Sequence, residues 1–177
     1  MTVSLRVVGI FFRDDAIPHT PGMTVEGVLD AASSRATAGQ NTAMPNANLF
    51  NFTTGTLSPA FGGGKTISAF VARYSAQGPT SVTSDTTYRS GEFFLSENLA
   101  QTPSYTVWQY YVFTAPLSQG GAYIPNSPRI LSYENAAVPD GGMVVWRLVS
   151  VLAGRNEVPG FLRRALGVDP DMTAEMT

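Results

Sequence analysis

The sequence predicts an α+β fold with a mostly antiparallel β-sheet of roughly six to eight strands, one main helix and a short C-terminal helix. Short segments of alternating apolar and polar residues recur along the chain, and Gly, Pro and Asn separate them. A single long segment has its apolar residues at helical spacing. The length of 177 residues suits one domain with a sizeable core. We place this β-rich domain at residues 1–154, and the C-terminal helix with a flexible tail at 155–177.

The N-terminal segment alternates in two phases. Apolar residues occupy every second position over 3–7, and Ile10 and Phe12 continue the alternation in the opposite phase, with Gly9 at the change. An extra residue in a strand shifts the phase of alternation in this way. The pattern therefore predicts one long strand over 2–13 with a β-bulge at Gly9.

Residues 24–38 carry the signals of the main helix. Thr24 can act as the N-cap by accepting a hydrogen bond from a free backbone N–H. Glu26 places a negative charge in the first turn, where the helix dipole favours it. Gly39 is a natural stop after the last turn. The apolar stripe expected to face the core consists of Val25, Val28, Leu29 and Ala32.

The remaining strand patterns follow the helix. The segment 104–114 is aromatic and β-branched on both faces, so we expect it at the centre of the sheet, covered on both sides. The segment 143–152 follows a tight turn at 139–142. The segment 40–101 leaves two alternatives open, a decoration or a second sheet. Further strands are predicted at 49–52, 66–76, 81–88, 92–96 and 129–133.

Three segments carry a resemblance to a known family. They are Thr24–Ala32 in the helix, Trp108-Gln109-Tyr110-Tyr111-Val112 in the aromatic strand, and Pro139–Trp146 in the turn and last strand. In this order they resemble the ubiquitin-like (β-grasp) domain found at the C-terminal end of cobalamin carriers such as transcobalamin, and its bacterial relatives of unknown function. The resemblance implies a sheet of β-grasp type. It assigns cobalamin binding to no residue of this chain.

Charge and composition exclude several classes of function. The formal net charge is -2, and the eleven Lys and Arg residues form no basic stripe, so we expect no nucleic-acid partner. No apolar run reaches the roughly 18 residues that indicate a transmembrane helix, so we expect no membrane span. Cysteine is absent, which removes thiolate nucleophiles and disulfides. The N-terminus has no secretory signal pattern, which favours a cytoplasmic protein, a mature form or a signal-independent route.

The sequence assigns no residue to catalysis, to a metal or to a cofactor, and we expect a protein that is not an enzyme. His19 is the only histidine and lies between two prolines, which is typical of a turn. Gly-Lys-Thr at 64–66 superficially matches a phosphate-binding loop. That loop needs a glycine five residues earlier, where Pro59 stands, and a helix afterwards, where a strand pattern follows.

Two segments are candidates for contact with a partner. The loop 115–128 is long, and it places Tyr123 and Ile124 between Gly and Pro residues. There an aromatic side chain can either enter a partner's pocket or fold back over the sheet. The C-terminal segment 157–166 can close the domain's own core or dock on a neighbouring subunit. Its candidate contact residues are Phe161, Leu162, Arg163 and Arg164.

The low charged fraction of 14% and the aromatic fraction of 11% indicate a surface that association buries. We therefore expect a non-enzymatic structural or binding subunit that self-associates or docks in a larger protein assembly. The alternative is a small-ligand or carbohydrate-binding module, which requires a cleft that exposes two aromatic side chains. An enzyme would require His19 or a pair of glutamates in a pocket. The candidate stacking residues are Tyr105, Trp108, Tyr110, Tyr123, Tyr133 and Trp146.

Overall fold

The computed structural model describes residues 1–56, 65–74, 92–96, 104–124 and 132–152. These residues form a mixed α+β structure with many strands and one α-helix, which confirms the predicted class. The predicted C-terminal helix and tail at 155–177 lie outside the described residues, and the division at residue 154 stays a prediction. The elements are β1 (Thr2–Val8), β2 (Phe12–Pro18), α1 (Val25–Thr37), β3 (Ala47–Thr56), β4 (Lys65–Tyr74), β5 (Glu92–Ser96), β6 (Ser104–Phe113) and β7 (Met143–Leu152), with short 3-10 turns at Leu117–Gln119 and Tyr133–Asn135.

The described strands form two sheets rather than one. The first has the order β2-β1-β7-β6, and its adjacent strands β1 and β7 are parallel. All other pairs are antiparallel, so the mostly antiparallel character is confirmed. The second sheet has the order β3-β4-β5 and comes from the segment between α1 and β6. Of the two alternatives for residues 40–101, the second sheet is therefore correct.

The aromatic strand β6 is covered on both faces, but it lies at the end of the four described strands rather than between two of them. Its partner β7 lies between it and β1, so β6 ends the order of the four described strands. Trp108 and Tyr110 on one face are fully buried, and so is Tyr111 on the other. A strand that is apolar on both sides indicates that both faces are covered, and an edge strand can meet this condition as well as a central one.

The N-terminal segment is a hairpin, so the prediction of one long strand was wrong. β1 ends at Val8, the chain reverses over residues 9–11, and Val7 pairs with Phe12 at the start of β2. The change of phase at Gly9 marks this reversal, and Gly9 has a φ of 107°. A bulge and a tight turn both shift the alternation, and the pattern alone does not distinguish them.

The helix α1 has the predicted ends. Thr24 Oγ1 accepts a hydrogen bond from the backbone N–H of Gly27 at 3.3 Å. Gly39 follows the C-cap with a φ of 68°, a conformation that glycine adopts without steric cost. The predicted apolar stripe is fully buried, and it consists of Val25, Val28, Leu29 and Ala32.

A line of aromatic rings connects the two sheets across the core. Phe12 of β2 stacks on Phe50 of β3 with 3.9 Å between ring centroids, and Phe50 stacks on Phe70 of β4 at 5.7 Å. Phe70 in turn meets the indoles of Trp108 and Trp146 edge-on, at 4.7 and 5.4 Å. Such pairs contribute about 0.5–1.5 kcal/mol each beyond burial of their area. These five aromatic rings are thus used inside the fold.

Candidate functional site

The turn between β1 and β2, residues 9–11, carries an exposed aromatic ring, and we call it the hairpin tip. Phe11 is 74% exposed, whereas its neighbours Ile10 and Phe12 are buried. Phe11 also has a φ of 56°, in the left-handed region. A bulky side chain is uncommon there, because its Cβ approaches the following carbonyl oxygen. The hairpin tip therefore presents a large apolar group on a backbone that favours Gly or Asn.

Side chains from other parts of the fold hold the hairpin tip in place. The Tyr74 hydroxyl donates a hydrogen bond to the carbonyl oxygen of Ile10 at 3.0 Å. On the other side of Phe11, the Asn41 amide donates to the carbonyl oxygen of Arg13 at 2.7 Å. Because the backbone is fixed on both sides, Phe11 projects from a rigid support.

A groove of about 510 Å³ lies between α1 and the loop before it, and we call it the helix groove. Its lining includes Pro18, Met23, Gly27 and Ala31. Gly27 lies inside α1, where glycine is less favourable than alanine by roughly 1 kcal/mol. A Cβ at Gly27 would stand 3.7 Å from Met23 Cγ, an ordinary contact. Glycine at position 27 therefore leaves space in the groove. The fold does not require a glycine there, because an added Cβ would make only ordinary contacts.

The predicted partner residues Tyr123 and Ile124 pack within the chain. The Tyr123 ring lies 5.8 Å from the ring of Phe113 and 6.1 Å from that of Tyr111, between centroids, and its hydroxyl is buried. The Ile124 N–H donates to the carbonyl oxygen of Val112 at 2.9 Å. Of the two alternatives for this loop, the structure thus has the one in which it folds back over the sheet. Partner binding by Tyr123 and Ile124 stays a prediction.

The loop that carries Tyr123 closes tightly on itself. The Thr114 N–H donates to the carbonyl oxygen of Ala122 at 2.9 Å, and the Ala122 N–H donates to Thr114 Oγ1 at 3.0 Å. Gly121 lies so close to Ala115 that a Cβ would collide with the Ala115 carbonyl oxygen. The other predicted partner residues, Phe161, Leu162, Arg163 and Arg164, lie outside the described residues.

A polar cleft of about 440 Å³ lies beside this loop, and we call it the arginine cleft. Arg6 of β1 and Arg13 of β2 line it, and they lie directly opposite each other in the hairpin register. The Asp15 carboxylate accepts a hydrogen bond from the Arg13 guanidinium, which raises the pKa of Arg13. Ser118 and Gln119 add polar groups from the loop.

Lys65, the only lysine of the chain, connects α1 with the segment 132–138. Its Nζ lies 3.1 Å from Glu26 Oε1 and 3.1 Å from Glu134 Oε2. The hydrogen bonds to Glu134 and Glu26 raise the pKa of Lys65 well above its usual range. Lys65 begins strand β4, as expected from the strand pattern after Gly64, and no helix follows it there.

The aromatic residues proposed for stacking on a ligand are mostly internal. Tyr123 packs on its own sheet, and the Tyr105 side chain lies outside the described part of the chain. Neither the helix groove nor the arginine cleft is lined by an aromatic ring. The remaining four candidates are buried, and they are Trp108, Tyr110, Tyr133 and Trp146.

His19 contacts the segment that precedes β7. Its Nε2 lies 3.0 Å from the carbonyl oxygen of Val138, to which it donates because a carbonyl oxygen only accepts. Its Nδ1 lies 3.7 Å from Asp140 Oδ1. His19 lines neither the helix groove nor the arginine cleft. Among the residues that the structure describes, no group of three or more His, Asp or Glu side chains is placed to hold a metal ion.

Neither Phe11 nor the pair of Arg6 and Arg13 was predicted from the sequence as part of a site. One signal for Phe11 was available. Ile10, Phe11 and Phe12 form a run of three apolar residues, and in an alternating segment the middle one points away from the other two. No local sequence pattern indicates that Arg6 and Arg13 pair with each other, because this pairing depends on the register of the hairpin.

Comparison of the chain with protein-family models, with curated proteins and with solved structures gave no match. Within the described residues, no helix combines the length and the apolar character needed to cross a membrane. The geometry of the hairpin tip, the helix groove and the arginine cleft is therefore the basis for the functional argument.

Proposed function

We propose that this protein is a non-enzymatic binding subunit that self-associates, with Phe11 of one copy packing into the helix groove of the next. The observation that carries the proposal is the combination of exposure and positive φ at Phe11. A non-glycine residue in the left-handed region costs roughly 1–2 kcal/mol. The Phe11 side chain is 74% exposed, so contact with a partner would bury a large apolar area and offset this cost.

A second copy is the partner that fits best, because the same chain carries a concave surface suited to an aromatic ring. The helix groove has small and apolar residues along it, including Gly27 and Ala31. Pro18, which lines the groove, is separated from Phe11 of the same chain by the length of β2, about 20 Å at roughly 3.3 Å per residue.

Association of this kind joins two different surfaces, the hairpin tip of one copy and the helix groove of another. Two copies that exchange both contacts about a two-fold axis form a closed dimer. If each pair makes only one such contact, one surface of each kind stays free, and the copies close into a larger ring or extend as a filament.

We also propose that the four-stranded sheet with α1 is of β-grasp type. Three features support this reading of the fold. The hairpin β1–β2 precedes α1, the strands β1 and β7 are adjacent and parallel, and β6 pairs antiparallel with β7 on the far side. The resemblance to the ubiquitin-like domain of cobalamin carriers rests on this arrangement and on the three sequence segments described above.

The test is the native mass, measured by multi-angle light scattering over a wide range of concentration, for the full chain and for Phe11 variants. We expect the wild type to associate, and Phe11→Tyr to retain association because it keeps the ring. We expect Phe11→Gly to be monomeric and also more stable to heat, since glycine adopts this φ without cost. A wild type that stays monomeric, or a Phe11→Gly variant that associates as the wild type does, would contradict the proposal.

A further inference from the structure

Three parts of the chain meet at the end of the four-stranded sheet where β1 begins, β2 ends and β7 begins. In the hairpin, the His19 N–H donates to the carbonyl oxygen of Met1 at 3.2 Å, so the residue before β1 lies beside His19. The turn before β7 reaches the same place, because the Ser4 N–H donates to the carbonyl oxygen of Gly142 at 3.0 Å. The pairing of the strands therefore brings together groups that are far apart in the sequence.

Each of these three parts contributes an atom that can bind a metal ion. The amino nitrogen of Met1 lies 3.4 Å from Asp140 Oδ1, and His19 Nδ1 lies 3.7 Å from the same oxygen. Zinc bonds of about 2.0–2.2 Å at tetrahedral angles place two ligand atoms about 3.3–3.6 Å apart. The first distance falls in this range, and the second is just above it. The carboxylate oxygen is therefore spaced from both nitrogens much as two ligands of one metal ion are.

The imidazole of His19 is held in the orientation that metal binding requires. Its Nε2 donates to the carbonyl oxygen of Val138 at 3.0 Å, so in the neutral ring Nδ1 carries the free lone pair. Histidines that bind metals commonly donate their other ring N–H to a backbone carbonyl in this way. The Val138 carbonyl is itself held, because the Val138 N–H donates to the carbonyl oxygen of Met23 at 2.9 Å.

We infer that the Met1 amino group, His19 Nδ1 and the Asp140 carboxylate bind one divalent transition-metal ion such as Zn²⁺. Two nitrogens and one carboxylate oxygen suit Zn²⁺, whereas Mg²⁺ and Ca²⁺ prefer oxygen ligands. Three protein ligands leave a fourth position for water. The amino group must lose a proton to bind, and this proton passes to the solvent. None of the three residues lines the helix groove, so the inference does not rest on the proposed self-association.

Titration of the full chain with zinc chloride tests the inference, with Met1 shown to be intact by mass spectrometry. Calorimetry measures the stoichiometry and the Kd. The NMR signals of the His19 ring report on that ligand directly, because His19 is the only histidine. We expect one Zn²⁺ per chain with a saturable shift of the ring signals, and no binding of Mg²⁺ at the same concentration. Ring signals that do not shift, or equal binding of Mg²⁺, would overturn the inference.

Two variants remove one side-chain ligand each. In His19→Gln the new amide can keep the hydrogen bond to the Val138 carbonyl while Nδ1 is lost, and Asp140→Asn keeps a residue that suits a turn. Each should weaken Zn²⁺ binding by more than about tenfold, since even the loss of an outer partner of a metal ligand costs that much. Asp30→Asn removes an exposed carboxylate of α1 and is the matched control. Unchanged binding in either ligand variant, or an equal loss in Asp30→Asn, would contradict the site.

The amino group is tested by an extension of two residues before Met1. The extension replaces the amino group at this position with an amide, which does not bind Zn²⁺ in the same way, and it leaves His19 and Asp140 unchanged. We expect Zn²⁺ binding to weaken by more than about tenfold, as for the loss of a side-chain ligand. If the extended chain binds Zn²⁺ as tightly as the wild type, the amino group is not a ligand and the inferred site is wrong.

Discussion

Asp14 of β2 and Arg35 of α1 form a buried ion pair, with Arg35 Nε 2.8 Å from Asp14 Oδ2. The Asp14 side chain is fully buried, and that of Arg35 is 15% exposed. The Asp14 carboxylate also accepts a hydrogen bond from the backbone N–H of Ala16 at 3.1 Å, which holds it in place. This pair fixes the hairpin against the helix, and the position of the hairpin tip relative to α1 depends on it.

Removal of the cation from this pair should destabilise the fold strongly. Arg35→Met leaves the Asp14 carboxylate buried without its partner, and we expect the free energy of unfolding to fall by about 3–5 kcal/mol. Urea denaturation measures this change. The matched control is Arg13→Met, which breaks the exposed pair with Asp15 and should cost less than about 1 kcal/mol. Similar losses in the two variants would contradict the structural role of the buried pair.

Filling the helix groove should raise the stability of the monomer and weaken its association. Gly27→Ala should stabilise the monomer by up to about 1 kcal/mol, because alanine is the better helix former and the added Cβ meets only ordinary contacts. The same methyl group occupies space that the proposal assigns to Phe11, so association should weaken by about tenfold. Thermal unfolding and light scattering measure the two effects. A more stable variant that associates normally would remove the helix groove from the proposed interface.

The support of the hairpin tip should be sensitive to alkaline pH. Burial raises the pKa of Tyr74 to about 12 from its usual 10.0. The folded state thus favours the protonated hydroxyl, so its contribution is present below pH 10 and is lost as the pH rises toward 12. Tyr74→Phe removes the hydrogen bond to Ile10, so we expect its free energy of unfolding to fall by about 1 kcal/mol at neutral pH. The variant should also lack this part of the pH dependence. Unfolding curves at several pH values would show whether the two proteins converge.

The closed loop 115–124 should open when a side chain at position 121 prevents the close approach of Gly121 to Ala115. A Cβ in Gly121→Ala would collide with the Ala115 carbonyl oxygen, so the loop must shift and Tyr123 must leave the rings of Phe113 and Tyr111. We expect a loss of about 1–3 kcal/mol, as for an overpacked core. Hydrogen exchange of the Ile124 amide reports the opening. Gly120→Ala is a useful comparison, because Gly120 has open space around it and only its φ of 76° opposes the change.

The helix was the most predictable element because its signals are local. Thr24, Glu26 and Gly39 each act within one turn of the residue that they stabilise, and no distant contact is needed to interpret them. The hairpin was less predictable, because the shift of phase at Gly9 is common to a bulge and to a turn. The position of β6 at the end of the four described strands depends on strand order, which alternation does not encode.

The candidate site was less predictable than the fold for a related reason. The exposure of Phe11 depends on its positive φ. Arg6 and Arg13 are brought opposite each other by the pairing of β1 with β2. A slip of one residue in that pairing would move one arginine to the other face of the sheet. Tyr123 and Ile124 stood out in the sequence because of their Gly and Pro neighbours, and the structure places both against their own sheet.

The double ion pair of Lys65 has a consequence for the covalent chemistry of the chain. Reagents that acylate amines attack the neutral form, and the pKa of Lys65 is raised by the bonds to Glu134 and Glu26. Because Lys65 is the only lysine, its amine is the only side-chain amine that such reagents can acylate, and it reacts slowly. Acylation at that target would remove the charge that holds both glutamates and would loosen the segment 132–138 from α1. The extent of labelling at this single position would therefore report how often the contact opens.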